Sequence, residues 1–170
     1  MTSPVVTLVH DADVDPDAPA VGRTAVRAVL ARGPKILLLR TRQGHWKFPG
    51  GGVEAAETLS DALARELREE CGLVDVEVRE RFVTLVELAR AQEPGHTFSM
   101  TSHYHWCAGR TRALAPQLSA DERELGLTPR WLTPAEAVAQ TSTVSGSSPP
   151  RWVKRDLAVL RLLTEAGDDV

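Results

Sequence analysis

Cysteines, aromatic residues and long hydrophobic runs are all scarce in this sequence. Two cysteines among 170 residues are too few for a disulfide scaffold. No stretch is long and apolar enough to span a membrane. The first residues lack the basic segment and long apolar run of a secretory signal peptide. These shortages exclude a disulfide-stabilised secreted protein and predict a cytoplasmic protein without a membrane partner.

A surplus of positive charge is also missing. The formal net charge is −3, whereas proteins that bind long nucleic acids usually carry a basic face. A single nucleotide or a short RNA end stays compatible with this charge, because a bound divalent cation can supply the positive charge. The hydrophobic content of 42% and the charged content of 25% are ordinary for a globular protein, and the length suffices for one domain with a core.

The first twenty residues differ in composition from the rest. An apolar run at residues 4–9 can add an edge strand, and aspartates then alternate with other residues from 11 to 17. This spacing is close to that of a calcium loop, but Pro16 stands where the loop needs glycine and Gly22 where it needs glutamate. We therefore interpret residues 1–20 as a flexible acidic segment and residues 21–170 as the main domain.

Hydrophobic periodicity and capping signals predict an alternation of strands and helices in the main domain. The continuous apolar run at residues 36–39 is typical of a strand that is buried on both faces. Thr58 and Gly72 have the features of helix ends, and Thr133 begins another helix. The stretch at 109–124 is polar and is expected to be mobile. Strands are predicted at 22–30, at 35–40, from 73 to a kink near 79–81, at 82–88 beyond that kink, at 97–107 and at 130–132. Helices are predicted at 58–72, from 133, and at 151–165. This order predicts an α/β fold, an α/β/α sandwich with a mixed β-sheet between helices.

One stretch, from Trp46 to Leu73, contains a complete motif with the spacing G-x5-E-x7-R-E-U-x-E-E-x-G-U, where U is a bulky aliphatic residue. Its joint probability of arising by chance is on the order of 10^-8 per start site. The residues that match are Gly51, Glu57, Arg65, Glu66, Glu69, Glu70 and Gly72, with Leu67 and Leu73 at the aliphatic positions. The stretch resembles the Nudix box, the signature of the Nudix hydrolase family, whose fold is also an α/β/α sandwich.

The acids of this stretch occupy one side of the predicted helix. At about 100° per residue, Glu66, Glu69 and Glu70 fall within roughly a 100° arc that borders the apolar stripe. Half-buried carboxylates repel one another unless a cation lies between them, and hard divalent cations prefer carboxylate oxygens. The glycines at 50–52 allow backbone groups to approach a metal or a diphosphate closely. The pattern therefore predicts a site for Mg²⁺ or Mn²⁺.

The family resemblance implies both a reaction and a set of roles. Nudix enzymes cleave a nucleoside diphosphate linked to another moiety, using divalent ions. By resemblance, the metal ligands are Glu66, Glu69 and Glu70, with a backbone carbonyl from Gly50 or Gly51. Arg65 is expected to orient a box carboxylate, and Glu57 to support the site. The resemblance also allows a homodimer.

The general base is left open by the motif. Family members use either a box glutamate, here Glu69, or an acid from a distal loop. Asp121, Glu122 and Glu124 lie in the corresponding loop, and Glu124 is favoured. For the substrate phosphates, the candidates are Arg40 and Lys47 beside the glycine-rich stretch, together with Gly51 and Gly52. No feature selects a particular nucleoside.

Three alternatives keep the fold and change the function. A non-hydrolytic nucleotide-binding regulator typically loses a box glutamate, and this sequence retains all of them. An isomerase of the isopentenyl diphosphate type needs a cysteine over the diphosphate, and neither Cys71 nor Cys107 is obviously so placed. An RNA 5′-end pyrophosphohydrolase performs the same chemistry on a larger partner, which the lack of a basic surplus disfavours.

Overall fold

The computed structural model describes residues 3–109, 114–144 and 149–168, and within these ranges a mixed β-sheet of seven strands lies between helices. The strands are β1 (Val5–Val9), β2 (Ala20–Arg32), β3 (Lys35–Arg40), β4 (Trp46–Lys47), β5 (Val76–Arg90), β6 (Thr97–Gly109) and β7 (Thr128–Leu132). The helices are α1 (Leu59–Cys71), α2 (Ala120–Leu125), α3 (Pro134–Ser142) and α4 (Arg151–Asp168). No helix in these ranges is long and apolar enough to cross a membrane.

The strand order is β1-β5-β6-β2-β3-β4, with β7 paired to β3. Strand β1 lies at the edge and is parallel to β5, so the predicted edge strand is confirmed. The division of the chain at residue 20 stays a prediction. Strands β2 and β3 pair only near their hairpin, at Ala31 with Ile36 and Arg32 with Lys35. Beyond the hairpin the two strands separate.

The glycine-rich segment 49–53 occupies the place beside β2 that β3 leaves. Val26 N donates to Gly51 O at 3.0 Å, and Ala28 N donates to Pro49 O at 2.9 Å. Val53 N donates in turn to a carbonyl of β2 at 3.0 Å. The segment is therefore held to the sheet by strand-like hydrogen bonds, although it comes from a loop.

Each face of the sheet has its own hydrophobic core, which confirms the predicted α/β/α sandwich. On one face Leu37 and Leu39 of β3 pack with residues of α1. On the other face Ile36 and Leu38 pack with residues of α3 and α4. The apolar run of β3 is buried on both faces, as its lack of alternation predicts.

The ends of α1 follow the predicted capping signals. The Thr58 side chain accepts a hydrogen bond from Asp61 N at 3.1 Å, and Gly72 ends the helix with a φ of 66°. This left-handed conformation favours glycine because it lacks a Cβ. The helix start predicted at Thr133 is also confirmed, since Thr133 and Glu136 form a capping box that begins α3.

Two parts of the secondary structure differ from the prediction. Helix α2 begins inside the stretch that was expected to be a mobile polar segment and ends one residue beyond it. Residues 110–113 of that stretch are outside the described ranges. The signal for α2 was present in the sequence, since Ser119 and Glu122 form a capping box and Gly126 ends the helix. The stretch 76–90 is one strand with register shifts on either side of Arg81, because β6 remains paired to it across the irregularity.

A buried polar network joins α4 to the glycine-rich stretch. Asp156 is fully buried, with 0% of its surface exposed. Its Oδ1 accepts hydrogen bonds from Tyr104 OH at 2.7 Å and Arg155 Nε at 2.8 Å, and its Oδ2 accepts one from Phe48 N at 3.1 Å. Burial alone would raise the pKa of Asp156, but the Arg155 charge and these hydrogen bonds hold it below its usual value.

We expect Asp156→Asn to lower the free energy of unfolding at neutral pH by about 3–5 kcal/mol, because it removes one of the two buried carboxylates, Asp156 and Glu87, that pair with the buried Arg155. Since the folded pKa of Asp156 is depressed, its stabilisation is present above the unfolded carboxyl pKa and is lost as the pH falls. The difference between variant and wild type should therefore shrink below about pH 4. Urea unfolding at several pH values measures it, with the exposed Asp17→Asn as control. A difference that does not depend on pH would contradict the prediction.

Candidate active site

Two glutamates of α1 face the glycine-rich segment from the buried side of the helix. Glu66 and Glu70 are only 7% and 1% exposed. Gly50 N donates to Glu70 Oε2 at 2.6 Å. A Cβ on Gly51 would overlap the Glu66 carboxylate, so a larger residue at this position would displace that side chain from its place beside the segment. The helix and the segment thus form one unit, as their spacing in the motif predicts.

Lys47 contacts the acid cluster. Its Nζ lies 2.7 Å from Glu70 Oε1, so it balances the charge of a carboxylate that is otherwise almost inaccessible to water. The same nitrogen is 3.5 Å from Gly50 O. Lys47 is therefore engaged with the α1 acid and the backbone carbonyl in this structure, and its predicted contact with a substrate phosphate stays a prediction.

Arg65 links the acids on the outer side of the site. Its Nε and Nη2 contact the two Glu57 oxygens at 2.7 and 2.9 Å, and its Nη1 contacts Glu66 Oε1 at 2.8 Å. The Arg65 hydrogen bonds lower the pKa of Glu57 to about 2, with help from Glu54 N. Arg65 Nη1 is also 3.6 Å from Glu69. The arginine therefore orients two box acids and lies near a third.

A third carboxylate completes the cluster from a separate helix. Ligand oxygens of Glu66, Glu70 and Glu122 all lie within 4.8 Å of one another. Glu122 is the third residue of α2, where its Oε2 also accepts a hydrogen bond from Ser119 N at 2.7 Å. Glu124, the favoured candidate in the sequence, is exposed and is not part of this group.

Backbone contacts place α2 over the end of α1. Gln117 N donates to Glu69 O at 2.7 Å, and Leu114 N donates to Gly72 O at 3.0 Å. On the other side, Arg42 N donates to Leu125 O at 2.8 Å. These bonds connect segments that are far apart in the sequence. They explain why Glu122, which is distant from the motif, reaches Glu66 and Glu70.

The donor set fits a hard divalent cation. Burial raises the pKa of Glu66, the neighbouring Glu70 charge raises it further, and Arg65 opposes both. A cation between the carboxylates would remove this repulsion. Glu69 is not in the close group, and its predicted role as a ligand or base stays a prediction. The Gly50 carbonyl, also a predicted ligand, faces Lys47 Nζ.

A cavity of about 840 Å³ opens beside the acid cluster. Gly52, Arg65 and Glu66 line one side of it, and β2 lines the other with Arg23 and Arg27. Arg40, a predicted phosphate contact, is exposed at the end of β3 and does not line this cavity. The volume lies in the range of small-molecule binding sites.

Comparison with known proteins connects this geometry to a family. A model described as the NUDIX domain matches residues 22–153 of the chain. The chain belongs to the NUDIX domain family. This match includes the glycine-rich segment, α1 and α2, and the resemblance drawn from the motif is confirmed.

Relatives of this chain include proteins named as pyrophosphohydrolases. The CTP pyrophosphohydrolase of Escherichia coli (strain K12) is 32% identical over 112 residues, which are 56% of this chain and 83% of the relative. The RNA pyrophosphohydrolase of Alkalilimnicola ehrlichii is 50% identical over 50 residues, only 28% of each chain. The prediction of a Nudix hydrolase that acts on phosphoric anhydride bonds is confirmed.

Solved structures show the same fold. An ADP-ribose pyrophosphatase from Streptococcus suis is 18% identical with a TM-score of 0.53, and the alignment covers 85% of this chain and 91% of that one. A NUDIX hydrolase from Nitrosomonas europaea is 18% identical with a TM-score of 0.54, over 86% and 90% of the two chains. At these identities the likeness shows the fold alone.

Proposed function

We propose that this Nudix hydrolase cleaves the diphosphate linkage of a small nucleoside diphosphate derivative with Mg²⁺ or Mn²⁺ held by Glu66, Glu70 and Glu122. The observation that carries the proposal is the convergence of these three carboxylates from two helices at one point beside the glycine-rich segment. Glu69 is retained as a further candidate ligand, because its carboxylate lies near Arg65, which also holds Glu66.

Different residues of the site have different roles in this reaction. When bound, the cation supplies positive charge to the diphosphate oxygens and lowers the pKa of a coordinated water. Arg65 holds Glu66 in position through a 2.8 Å contact and is itself held by Glu57. Gly52 leaves open space at the cavity wall, where nothing lies within 4 Å of a Cβ position. The Glu122 carboxylate is the acceptor we assign to the proton of the attacking water.

Several observations favour a small nucleotide over RNA. The cavity has the volume of a small-molecule site, and the net charge of −3 provides no general attraction for a polyanion. The relative called a CTP pyrophosphohydrolase is matched over most of its length, whereas the RNA pyrophosphohydrolase is matched only over a short region. A non-hydrolytic regulator is disfavoured because all box acids are retained.

A substrate panel tests this function. The protein is incubated with CTP, ADP-ribose, a UDP-sugar and a 5′-triphosphorylated RNA, each with Mg²⁺ or Mn²⁺ and each with EDTA. We expect metal-dependent release of a nucleoside monophosphate from at least one small nucleotide. Turnover of the RNA alone would support the RNA alternative. Nucleotide binding that needs no metal, with no turnover of any compound, would overturn the hydrolase assignment.

Glu122→Gln is expected to lower kcat by about 10²–10⁴-fold on the compound identified by the panel, because it removes both the acceptor for the proton of water and one charged ligand of the proposed metal site. Glu124→Gln is the matched control, since it makes the same change two residues away on the exposed side of the same helix. It should retain kcat within about twofold, as expected for an exposed side chain away from the site. Equal losses in both variants, or a loss only in Glu124→Gln, would restore the sequence-based choice of Glu124.

A cytoplasmic location and a homodimer are further parts of this proposal. Support for the location comes from the composition and from the intracellular occurrence of nucleotides. Size-exclusion chromatography with light scattering tests the dimer directly. A monomer across the micromolar range would remove it.

A further inference from the structure

Arg27 is a buried cation in the middle of the central sheet. It lies on β2, opposite Tyr104 of β6, and only 6% of its surface is exposed. Its side chain lines the same cavity as Glu66 and Arg65. Arginine is rarely buried unless it is paired, so its position requires an explanation.

Pairing within the protein does not satisfy this side chain. Arg27 Nε and Nη1 are buried and have no hydrogen-bond partner among the described residues. The buried carboxylate of Asp156 could serve as a partner, but it already accepts hydrogen bonds from Tyr104, Arg155 and Phe48. Burial, and then the positive charge of Arg155, lower the pKa of Arg27. An unsatisfied buried donor destabilises a folded protein, and it does so more strongly if it is charged.

We propose that Arg27 binds a phosphate group in this cavity and thereby holds the substrate from the side opposite the α1 acids. The proposal rests on the proposed function, because it assigns the phosphate to the nucleotide substrate. The guanidinium group presents a planar set of N–H donors that matches the oxygens of a phosphate. Binding would satisfy the two unpartnered nitrogens and neutralise the buried charge. Burial of Arg27 destabilises the free protein, but it also holds the guanidinium group in place before the ligand binds, which reduces the entropy lost on binding.

Binding and stability measurements on the same variants test this role. Isothermal titration with ADP and with inorganic phosphate, each in the presence of Mg²⁺, separates a nucleotide phosphate from free phosphate. For Arg27→Met we expect at least a tenfold higher Kd for ADP and an unchanged or higher melting temperature without ligand. Arg161→Met is the matched control, because it removes the same charge at an exposed position of α4 that does not line the cavity. Its Kd for ADP should change by less than threefold.

The outcomes separate a ligand-binding arginine from a structural one. A lower melting temperature of Arg27→Met with an unchanged Kd for ADP would overturn the proposal, as would failure of the wild type to bind either probe. Weakened binding of inorganic phosphate without an effect on ADP would overturn the assignment to the substrate. If Arg27→Met does not fold, Arg27→Lys decides, because its ammonium group keeps the charge but cannot form the planar contact. A Kd raised at least fivefold in Arg27→Lys supports the proposal, and an unchanged Kd contradicts it.

Failure of this inference is distinguishable from failure of the proposed function. A substrate panel without turnover, together with weakened ADP binding by Arg27→Met, would refute hydrolysis and retain the phosphate site. Metal-dependent turnover with kcat and KM unaffected in Arg27→Met would retain hydrolysis and refute the phosphate site at Arg27.

Discussion

Glu66→Gln is expected to lower kcat at least about 100-fold, because a site that loses a charged ligand loses several kcal/mol of transition-state stabilisation. Glu66 is central to the site, since it lies within the group formed with Glu70 and Glu122 and contacts Arg65 at 2.8 Å. Glutamine has nearly the same shape but carries no charge. The loss therefore reports the electrostatic role of the carboxylate.

The measurement combines steady-state kinetics with titration of Mn²⁺. A higher Kd for Mn²⁺ in Glu66→Gln, together with a low kcat, would identify the residue as a ligand. The thermal stability of the variant should be retained or raised without metal, because the substitution removes repulsion with the buried Glu70. Glu80→Gln, an exposed strand position, controls for loss of charge in general. Full activity in Glu66→Gln would refute the proposed metal site.

Gly50→Ala is expected to prevent stable folding or to lower the melting temperature by about 8–16 °C, which corresponds to roughly 4 kcal/mol for a chain of this size. Gly50 has a φ of 131°, a conformation that side chains rarely adopt. A Cβ there would overlap the Val26 carbonyl oxygen and come within 3.0 Å of Arg27 Cα. Neither the backbone of the glycine-rich segment nor that of β2 can move aside, because hydrogen bonds from Val26 N and Ala28 N hold the two together.

Gly52→Ala is the control for this prediction. It adds the same methyl group two residues further along, where nothing lies within 4 Å of the Cβ position. We expect its melting temperature to stay within about 2 °C of the wild type, which corresponds to less than 1 kcal/mol. Thermal unfolding followed by circular dichroism compares the two variants. Equal stability of Gly50→Ala and Gly52→Ala would show that the segment is not held against β2 as described.

The sequence predicted the parts of the fold around the acids that depend on local information. The box helix α1 has its predicted caps at Thr58 and Gly72, and Glu66 and Glu70 lie beside its buried stripe as the helical spacing requires. Helical periodicity and capping act over a few residues, so both can be recognised within one segment of the sequence. The contact of Arg65 with Glu66 also follows from proximity on one helix and in one motif.

Long-range placement was the part that sequence reasoning could not supply. The loop acids Glu122 and Glu124 are equally acidic and two residues apart, and only the first reaches the cluster. The choice depends on the position of α2, which is determined by hydrogen bonds of the segment at 114–117 to the end of α1. A capping box at Ser119 was the one available signal, since it predicts that residues 119–125 form a helix whose third residue is Glu122.

Lys47 and Arg27 illustrate the same limit. Both are cations close to the site, yet Lys47 contacts Glu70, whereas Arg27 keeps two unpartnered nitrogens at the cavity. Sequence alone presents Lys47 as a phosphate contact and gives no reason to select Arg27 within a strand. Which cation is already neutralised depends on packing across several elements.

The sequence by itself determined the family, the α/β/α fold class, the reaction class and the acids of one helix, because each of these depends on spacing within a continuous segment. Only the tertiary structure decided which distant carboxylate joins Glu66 and Glu70, and which arginine lines the cavity with unsatisfied donors. The physical reason is that carboxylate and guanidinium interactions act over a few ångströms. Those distances exist only after β2, the glycine-rich segment, α1 and α2 have packed together.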